Sequence, residues 1–261
     1  MSAIQEQAGK HRIQSVARAA FIVFAVAASP DGLTPREVAE ALRIHQQTTY
    51  HLLHTLTTTG LLARRNDRYI LGIRCAGLGD AFRRQIAPPE FLGPAVRELA
   101  SRTGETAQGV GWQSNEIVAF SIARGHHAVQ AAEVPYGSTN DGHARATGKL
   151  LLAHASPQLR DAYLERYPLR RRTAHTITDP KRFAQELERI RELGYAVDDE
   201  EFADGVACLA VPLGDGIDGI SQFGFGLSAP AARFRAHFDE YLETMQDVAR
   251  SVFASELGRA E

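Results

Sequence analysis

The sequence predicts an α+β chain, with an N-terminal winged helix-turn-helix ahead of a larger domain built on an antiparallel sheet. Three observations carry that expectation. Residues 34–71 read as a helix, a tight turn, a second helix and a hairpin. After residue 104 the strand-like runs come in hairpin-like groups with helical patterns at their flanks. Charge also divides along the chain: residues 1–87 carry 11 Lys/Arg and 6 Asp/Glu, a balance of +5, and the remainder carries 18 and 25, a balance of −7. A basic first third on an acidic remainder suggests one domain that faces nucleic acid and one that does not.

The stretch from Thr34 to Leu71 holds the most specific signals. Thr34 can cap a helix, Pro35 suits its first turn, and Glu37 completes a capping box. Val38, Ala39 and Leu42 recur at helical spacing, and the chain turns at Arg43–Ile44–His45. In the second helix Leu52, Leu53 and Leu56 form the apolar stripe, with Thr49 beside them. That leaves Gln46, Gln47, Thr48, Tyr50, His51 and His54 toward solvent. Gln can bond adenine in a bidentate fashion, and Thr can touch a thymine methyl. Gly60 suits a helix end that needs positive φ, and Asn66–Asp67 suits a turn between two short strands. Arg64, Arg65 and Arg68 cluster at that hairpin tip, where cations can meet phosphate or enter a minor groove. With Thr34 and Arg36 at the start of the first helix, these residues form the candidate DNA-facing set. A helix pair with a hairpin can also dock protein, and the absence of Lys and Arg from residues 46–59 favours that alternative.

The other elements follow in order. Ile13–Ala28 reads as a helix, with Val16, Ala20, Val23, Phe24 and Ala27 on the face expected to pack behind the helix-turn-helix. Ile73–Ile86 reads as a connecting helix with Leu78 and Phe82 on one side, broken by Ala87-Pro88-Pro89. The expected organisation is therefore 1–72 for the winged helix-turn-helix, 73–87 for the connector and 88–261 for the second domain. A helix is expected over Glu90–Arg102, and then strands over Glu105–Trp112, Glu116–Ala123 and Ala128–Val134. Pro135–Ala146 reads as a loop and Thr147–Ala155 as a helix. Ser156-Pro157 and Asp179-Pro180 each start a further helix. Strands over Tyr195–Val197, Val206–Leu213 and Gly219–Leu227 precede a mostly helical Ala231–Leu257.

Composition excludes some classes. The longest apolar run, Ala19–Ala28, is shorter than the ~20 residues a membrane helix needs, so no membrane association is expected. MSAIQEQAGKHR lacks the order of a secretory signal, and the two cysteines, Cys75 and Cys208, stand far apart without metal-ligand spacing. A reducing cytoplasm fits that usage. Gly214-Asp215-Gly216-Ile217-Asp218-Gly219 matches G-x-G-x-x-G by letter, but a strand-like run follows it where the motif needs a helix. There is no G-x-S-x-G or H-E-x-x-H. His126 and His127 are adjacent, and on a strand they would face opposite ways. No catalytic constellation, metal or cofactor is expected.

The ordered landmarks HLLHTL, GLLARR, RYILG, TGETA, ATGKLLLA, GYAVDDEEFADGVACLAVP and LSAP make the chain resemble the IclR family of bacterial transcriptional regulators over residues 13–255. The resemblance implies a winged helix-turn-helix joined by a helix to a GAF-like effector domain. It also implies a ligand-responsive regulator, expected to be a repressor, that binds double-stranded DNA at a palindromic operator as a homodimer or a dimer of dimers. Family ligands are small organic acids or aromatics. Their site maps here onto Gly137, His143, Ala144 and Ala146 in the loop, and onto Asp198, Cys208, Gly226 and Ser228 on the sheet. The family usually carries Gly where Arg43 stands, a basic residue where His51 stands and, in many members, Ser where Gly226 stands. Phosphate anchoring then falls to the wing arginines together with Arg12, Arg36 and Arg43.

Chemistry supports part of that site. A helix starting at Thr147-Gly148 offers free N–H groups to an anion, with His143, Arg145 and Lys149 nearby, and Ser228 can donate to a carboxylate. Simpler expectations stand beside it. Lys149 is expected as a solvated helix residue, Asp198 as one of a run of surface acids, and Phe120, Phe223 and Phe225 as core. Cys208 is expected either as a small core residue or as part of the pocket lining.

Overall fold

The computed structural model describes residues 13–85, 88–131, 141–213 and 223–257, without the side chains of 83, 84 and 255–257. Arg12, Gly137 and the Gly214–Gly219 turn lie outside the described residues, as do 219–222 of the last expected strand. The chain separates into two compact units, 1–87 and 88–261.

The first unit holds α1 (Gln14–Ala27), α2 (Pro35–Leu42), α3 (Gln46–Thr58), the antiparallel pair β1 (Leu62–Arg65) and β2 (Arg68–Leu71), and α4 (Arg74–Gln85). Its core joins Ile22 and Val26 of α1, Val38 of α2, Leu53 and Leu56 of α3, Leu62 and Tyr69. The capping box at Thr34 forms in both directions, and Glu37 also receives Arg68 from β2. Arg43 ends α2 in the left-handed region at φ 50°, a conformation that favours glycine. The expected packing face of α1 needs correction. Val16 and Phe24 are 64% and 60% exposed, and Ala20 and Ala27 are exposed too. The helix is apolar nearly all round, so periodicity alone offered two faces, and the core took the one with Ile22 and Val26.

The second unit is a five-stranded antiparallel sheet in the order β4-β3-β7-β6-β5, formed by β3 (Thr106–Gln113), β4 (Glu116–Ala123), β5 (Ala196–Asp199), β6 (Val206–Pro212) and β7 (Phe223–Pro230). Helices cover both faces. On one side α5 (Leu92–Thr103), α9 (Ala231–Ala236) and α10 (Phe238–Leu257) bury Leu209, Phe225 and Leu227 with Val96, Leu99, Met245 and Val248. On the other, α6 (Ala146–Ala153) and α8 (Pro180–Leu193) bury Val110 and Ala210 with Leu150, Leu151, Phe183 and Leu187. A short α7 (Pro157–Arg166) follows α6, with Ser156 as its cap. Phe225 belongs to the first of these cores and Phe120 packs against it, as expected, while Phe223 is half-buried with its ring 5.9 Å from that of Phe120.

The strand expected over Ala128–Val134 is absent at residues 128–131, which are irregular, and 132–134 lie outside the described residues. His126 and His127 therefore do not sit on a strand, and their rings lie together with centroids 5.2 Å apart. His127 reaches to 3.9 Å from Glu105, a fully buried carboxylate also held by Arg233 and the Tyr241 hydroxyl. That network, rather than a ladder, fixes the segment.

Candidate nucleic-acid interface and effector site

The apolar stripe of α3 decides which of its residues are free. Thr49, Leu53 and Leu56 are buried, which turns Gln46, Gln47, Tyr50, His51 and His54 outward, with Thr48 half-buried. Thr49, Thr55, Thr57 and Thr58 donate their hydroxyls to carbonyls one turn back, so those groups are already engaged. The DNA-facing candidates divide by what holds them. Thr34 is committed to the capping box, and Arg68 donates to the Gly32 carbonyl at 2.9 Å and to Glu37 at 3.2 Å. The Thr34 backbone and hydroxyl hold the Glu37 carboxyl below its usual range. Arg36 pairs with Glu40 one turn away. Arg64 braces the turn through Asn66, and Arg65 is exposed beside it. An open cavity of about 480 Å³ lies between α2 and the start of α3, lined by Arg36, Glu40, Ile44, His45 and Gln46.

In the second unit, strand alternation gathers polar groups on the α6 face. Leu209, Phe225 and Leu227 point to the opposite core, so Asp198, Cys208 and Ser228 share this side, and the register places Asp198 beside Cys208 and Cys208 beside Ser228. Thr106 continues the row next to Ser228. Cys208 Sγ lies 3.2 Å from Ser228 Oγ. Gly226 lets α6 approach: a Cβ there would overlap the Thr147 methyl and come within 2.9 Å of Gln108 Cγ. Cys208 also packs against the α6-side core, so both of its expected roles meet at one position.

Above that row stand Ala144 and Ala146, both buried, with His143 and Arg145. His143 is fully buried and its Nε2 is 2.8 Å from the Arg170 carbonyl, while its Nδ1 has no partner among the described residues. Burial holds His143 below the usual imidazole range. The Arg145 guanidinium lies 3.5 Å over the Phe202 ring, and its buried Nε likewise has no partner among the described residues. Burial pulls Arg145 down, with the Cys208 and Asp198 side facing it.

Two expectations are overturned here. Lys149 is not solvated. It is fully buried, ion-paired with Glu201 and 3.2 Å from Glu186 on α8. Asp198 is not surface charge. It is 1% exposed and accepts the backbone N–H groups of Glu201 at 2.7 Å and Phe202 at 3.2 Å. Burial pushes Asp198 up to about 6 despite those bonds, and pushes Glu201 up against the pull of Lys149. Thr173 and Thr176 donate to the Glu200 and Glu201 carbonyls, so the loop after β5 is anchored from several sides. Glu201, Phe202, Thr173 and Thr176 escaped sequence reasoning. A four-acid run without a partner pattern reads as solvated, and only tertiary contact shows otherwise.

Comparison with known proteins gives this geometry its context. The profile described as "Bacterial transcriptional regulator IclR C-terminal" matches residues 89–254, and that of the "IclR helix-turn-helix domain" matches residues 15–66. The chain belongs to the IclR family. Among IclR-family relatives, the HTH-type transcriptional regulator BhcR of Paracoccus denitrificans is 33% identical over 91% of this chain and 86% of its own length. The transcriptional repressor IclR of Escherichia coli is 26% identical over 78% of this chain and 76% of its own. The crystal structure of an IclR homolog complexed with 4-hydroxybenzoate, from Microbacterium hydrocarbonoxydans, shares the fold with a TM-score of 0.72. It is 20% identical, with 92% of this chain and 98% of that one covered. As an IclR-family protein, the chain is a DNA-binding transcriptional regulator with a winged-helix head and an antiparallel-sheet domain. Nothing in these relationships favours the reading in which the winged helix docks protein.

Proposed function

We propose that this regulator is a repressor whose grip on a palindromic operator is released by a small carboxylate bound beside α6, with no catalytic step. The observation that carries the ligand reading is a pair of buried polar atoms without partners among the described residues, the Arg145 Nε donor and His143 Nδ1, an acceptor because Nε2–H donates to the Arg170 carbonyl, both next to the polar row Asp198–Cys208–Ser228. A buried donor gains most from an acceptor that a ligand can bring. Gly137 is assigned to the same site through the family resemblance.

The operator is read as a homodimer or dimer of dimers, in the cytoplasm, by Gln46, Gln47, Thr48, Tyr50, His51 and His54. Arg12, Arg36, Arg64 and Arg65 serve phosphates, with Thr34 and Arg68 holding the wing to α2. Exposed Ile73, Leu78 and Phe82 on and before α4, and Val16 and Phe24 on α1, supply apolar surface for pairing of heads. Working boundaries are 1–72 for the head, 73–87 for the connector and 88–261 for the effector domain. No helix among the described residues is long and apolar enough to cross a membrane.

The test is calorimetric titration of the full-length protein with aliphatic and aromatic carboxylates, 4-hydroxybenzoate among them, followed by operator release with any binder. Saturable binding that Ser228→Ala weakens, together with release of DNA, supports the reading. If no carboxylate binds, or binding leaves DNA occupancy unchanged, it fails.

A further inference from the structure

Positions 47, 51, 54 and 58 fall on one ridge of α3, opposite the buried Thr49, Leu53 and Leu56, and Gln47, His51, His54 and Thr58 are all exposed. Residues 46–59 contain no Lys, Arg, Asp or Glu. On the outward ridge of the helix that enters the groove, imidazole is therefore the only side chain able to become a cation near neutral pH. Three residues apart, His51 and His54 stand one turn from each other on the same face. Among the described residues both are engaged only through their backbone carbonyls, by the Thr55 and Thr58 hydroxyls, and neither ring has a hydrogen bond or ion pair.

We infer that His51 and His54 contact the operator in their protonated form, so that the proton is a co-ligand for DNA binding. The inference rests on α3 being the helix that meets DNA. A neutral imidazole offers one N–H donor and no charge, whereas the imidazolium offers two donors and a charge to phosphate or to guanine O6 and N7. DNA favours the charged form. By linkage, each proton taken up on binding weakens the complex by up to about tenfold for each unit of rising pH.

Other charges on the packed elements do not take over this role. Glu37 and Glu40 on α2 are already paired with Arg68 and Arg36. Arg18 on α1, Arg43 at the end of α2, and Arg64 and Arg65 on β1 keep one charge across the range in question. His45, at the start of α3, lies in the cavity with Arg36 and Glu40, away from the outward ridge, and serves as the control.

The experiment measures fluorescence anisotropy of the full-length protein on a labelled duplex enriched from a random pool by that protein. It runs at fixed salt from about pH 5.5 to about pH 8.5, across the imidazole range. Calorimetry of the same binding in two buffers of different ionisation heat counts the protons. Wild type should take up one to two protons and lose affinity as pH rises. His51→Gln/His54→Gln should lose most of that dependence, and His45→Gln should keep it. His51→Lys/His54→Lys should bind at every pH with the strength wild type reaches only in acid. A wild type that binds the duplex with no proton uptake overturns the inference and leaves the DNA reading intact. So does pH dependence that survives His51→Gln/His54→Gln. Failure to retain any duplex at any pH removes the DNA reading, and the inference with it. Should the double variant lose its helical circular dichroism, the proton count on wild type and on each single Gln variant decides the matter.

Discussion

Lys149 and Glu201 form an ion pair in which the ammonium is fully shielded from solvent, with Glu186 on α8 as a second acceptor. The pair ties α6 to the loop after β5, whose Phe202 ring lies under Arg145. The helix that presents its N-terminus to the proposed ligand is thus fastened to the loop that orders Asp198. Removing one member of a buried pair leaves an uncompensated charge, which costs roughly 3–5 kcal/mol. Lys149→Met should therefore lower the urea midpoint of the second unit markedly. Lys149→Met/Glu201→Gln should recover part of that loss, because the stranded carboxylate is gone. Equal destabilisation in the single and double variants would argue against a coupled pair.

Asp198 gives a pH signature. Burial raises its carboxyl from 3.8 to about 6 in the folded chain, so the native state holds this proton where the unfolded chain has released it. Its contribution to stability is present below the unfolded value and lost as pH rises through about 6. Asp198→Asn keeps an acceptor for the Glu201 and Phe202 N–H groups but does not titrate. Relative to wild type, the variant should gain stability between about pH 4 and about pH 6, on the order of 1–3 kcal/mol, read by denaturant melts at each pH. A difference that is flat across that window would show that Asp198 ionises normally.

Gly226 sets the distance between α6 and the sheet. The Gly226→Ser variant would introduce a Cβ against the Thr147 methyl and 2.9 Å from Gln108 Cγ, an overpacking expected to cost roughly 1–3 kcal/mol. Thr147→Ser removes that methyl and should return part of the loss in the double variant. Thermal melts of the four proteins test this, and a Gly226→Ser chain as stable as wild type would contradict the packing.

Arg43 holds φ 50° at the end of α2, where a glycine adopts the left-handed region without the Cβ penalty. Arg43→Gly should stabilise the head by roughly 0.5–1 kcal/mol, after allowance for the greater freedom of glycine in the unfolded chain. Lowered stability would mean that the Arg43 side chain makes a contribution larger than the strain it carries.

The head was legible in the sequence because its signals are local. Thr34, Glu37, Gly60 and Asn66 act within a few residues of themselves, and each forms the cap or turn expected of it. The body was legible in class and in most of its strands, since alternation in β6 and β7 marks the two covered faces. Lys149, and the simpler reading of Asp198 as surface charge, were misjudged for the opposite reason. The Lys149 partner Glu201 lies 52 residues away, and Asp198, although it accepts from N–H groups only three and four residues on, sits beside Cys208 across the sheet; burial of a charge depends on such tertiary contacts rather than on its neighbours in the chain. The exposed face of α1 was equally hidden, because an apolar helix does not say which side it buries.

The central claim is that the basic wing anchors this regulator to duplex DNA through phosphate. The decisive measurement is the affinity of the full-length protein for its enriched duplex over a range of salt, for wild type, Arg64→Ala, Arg65→Ala and Arg68→Ala. Wild-type affinity should fall steeply and linearly on logarithmic axes, and loss of Arg64 or Arg65 should each flatten the slope by roughly one. Arg68→Ala should act chiefly on stability, because that side chain is already held by Glu37 and the Gly32 carbonyl. A slope near zero in wild type, or one unchanged when Arg64 and Arg65 are removed, would contradict the claim.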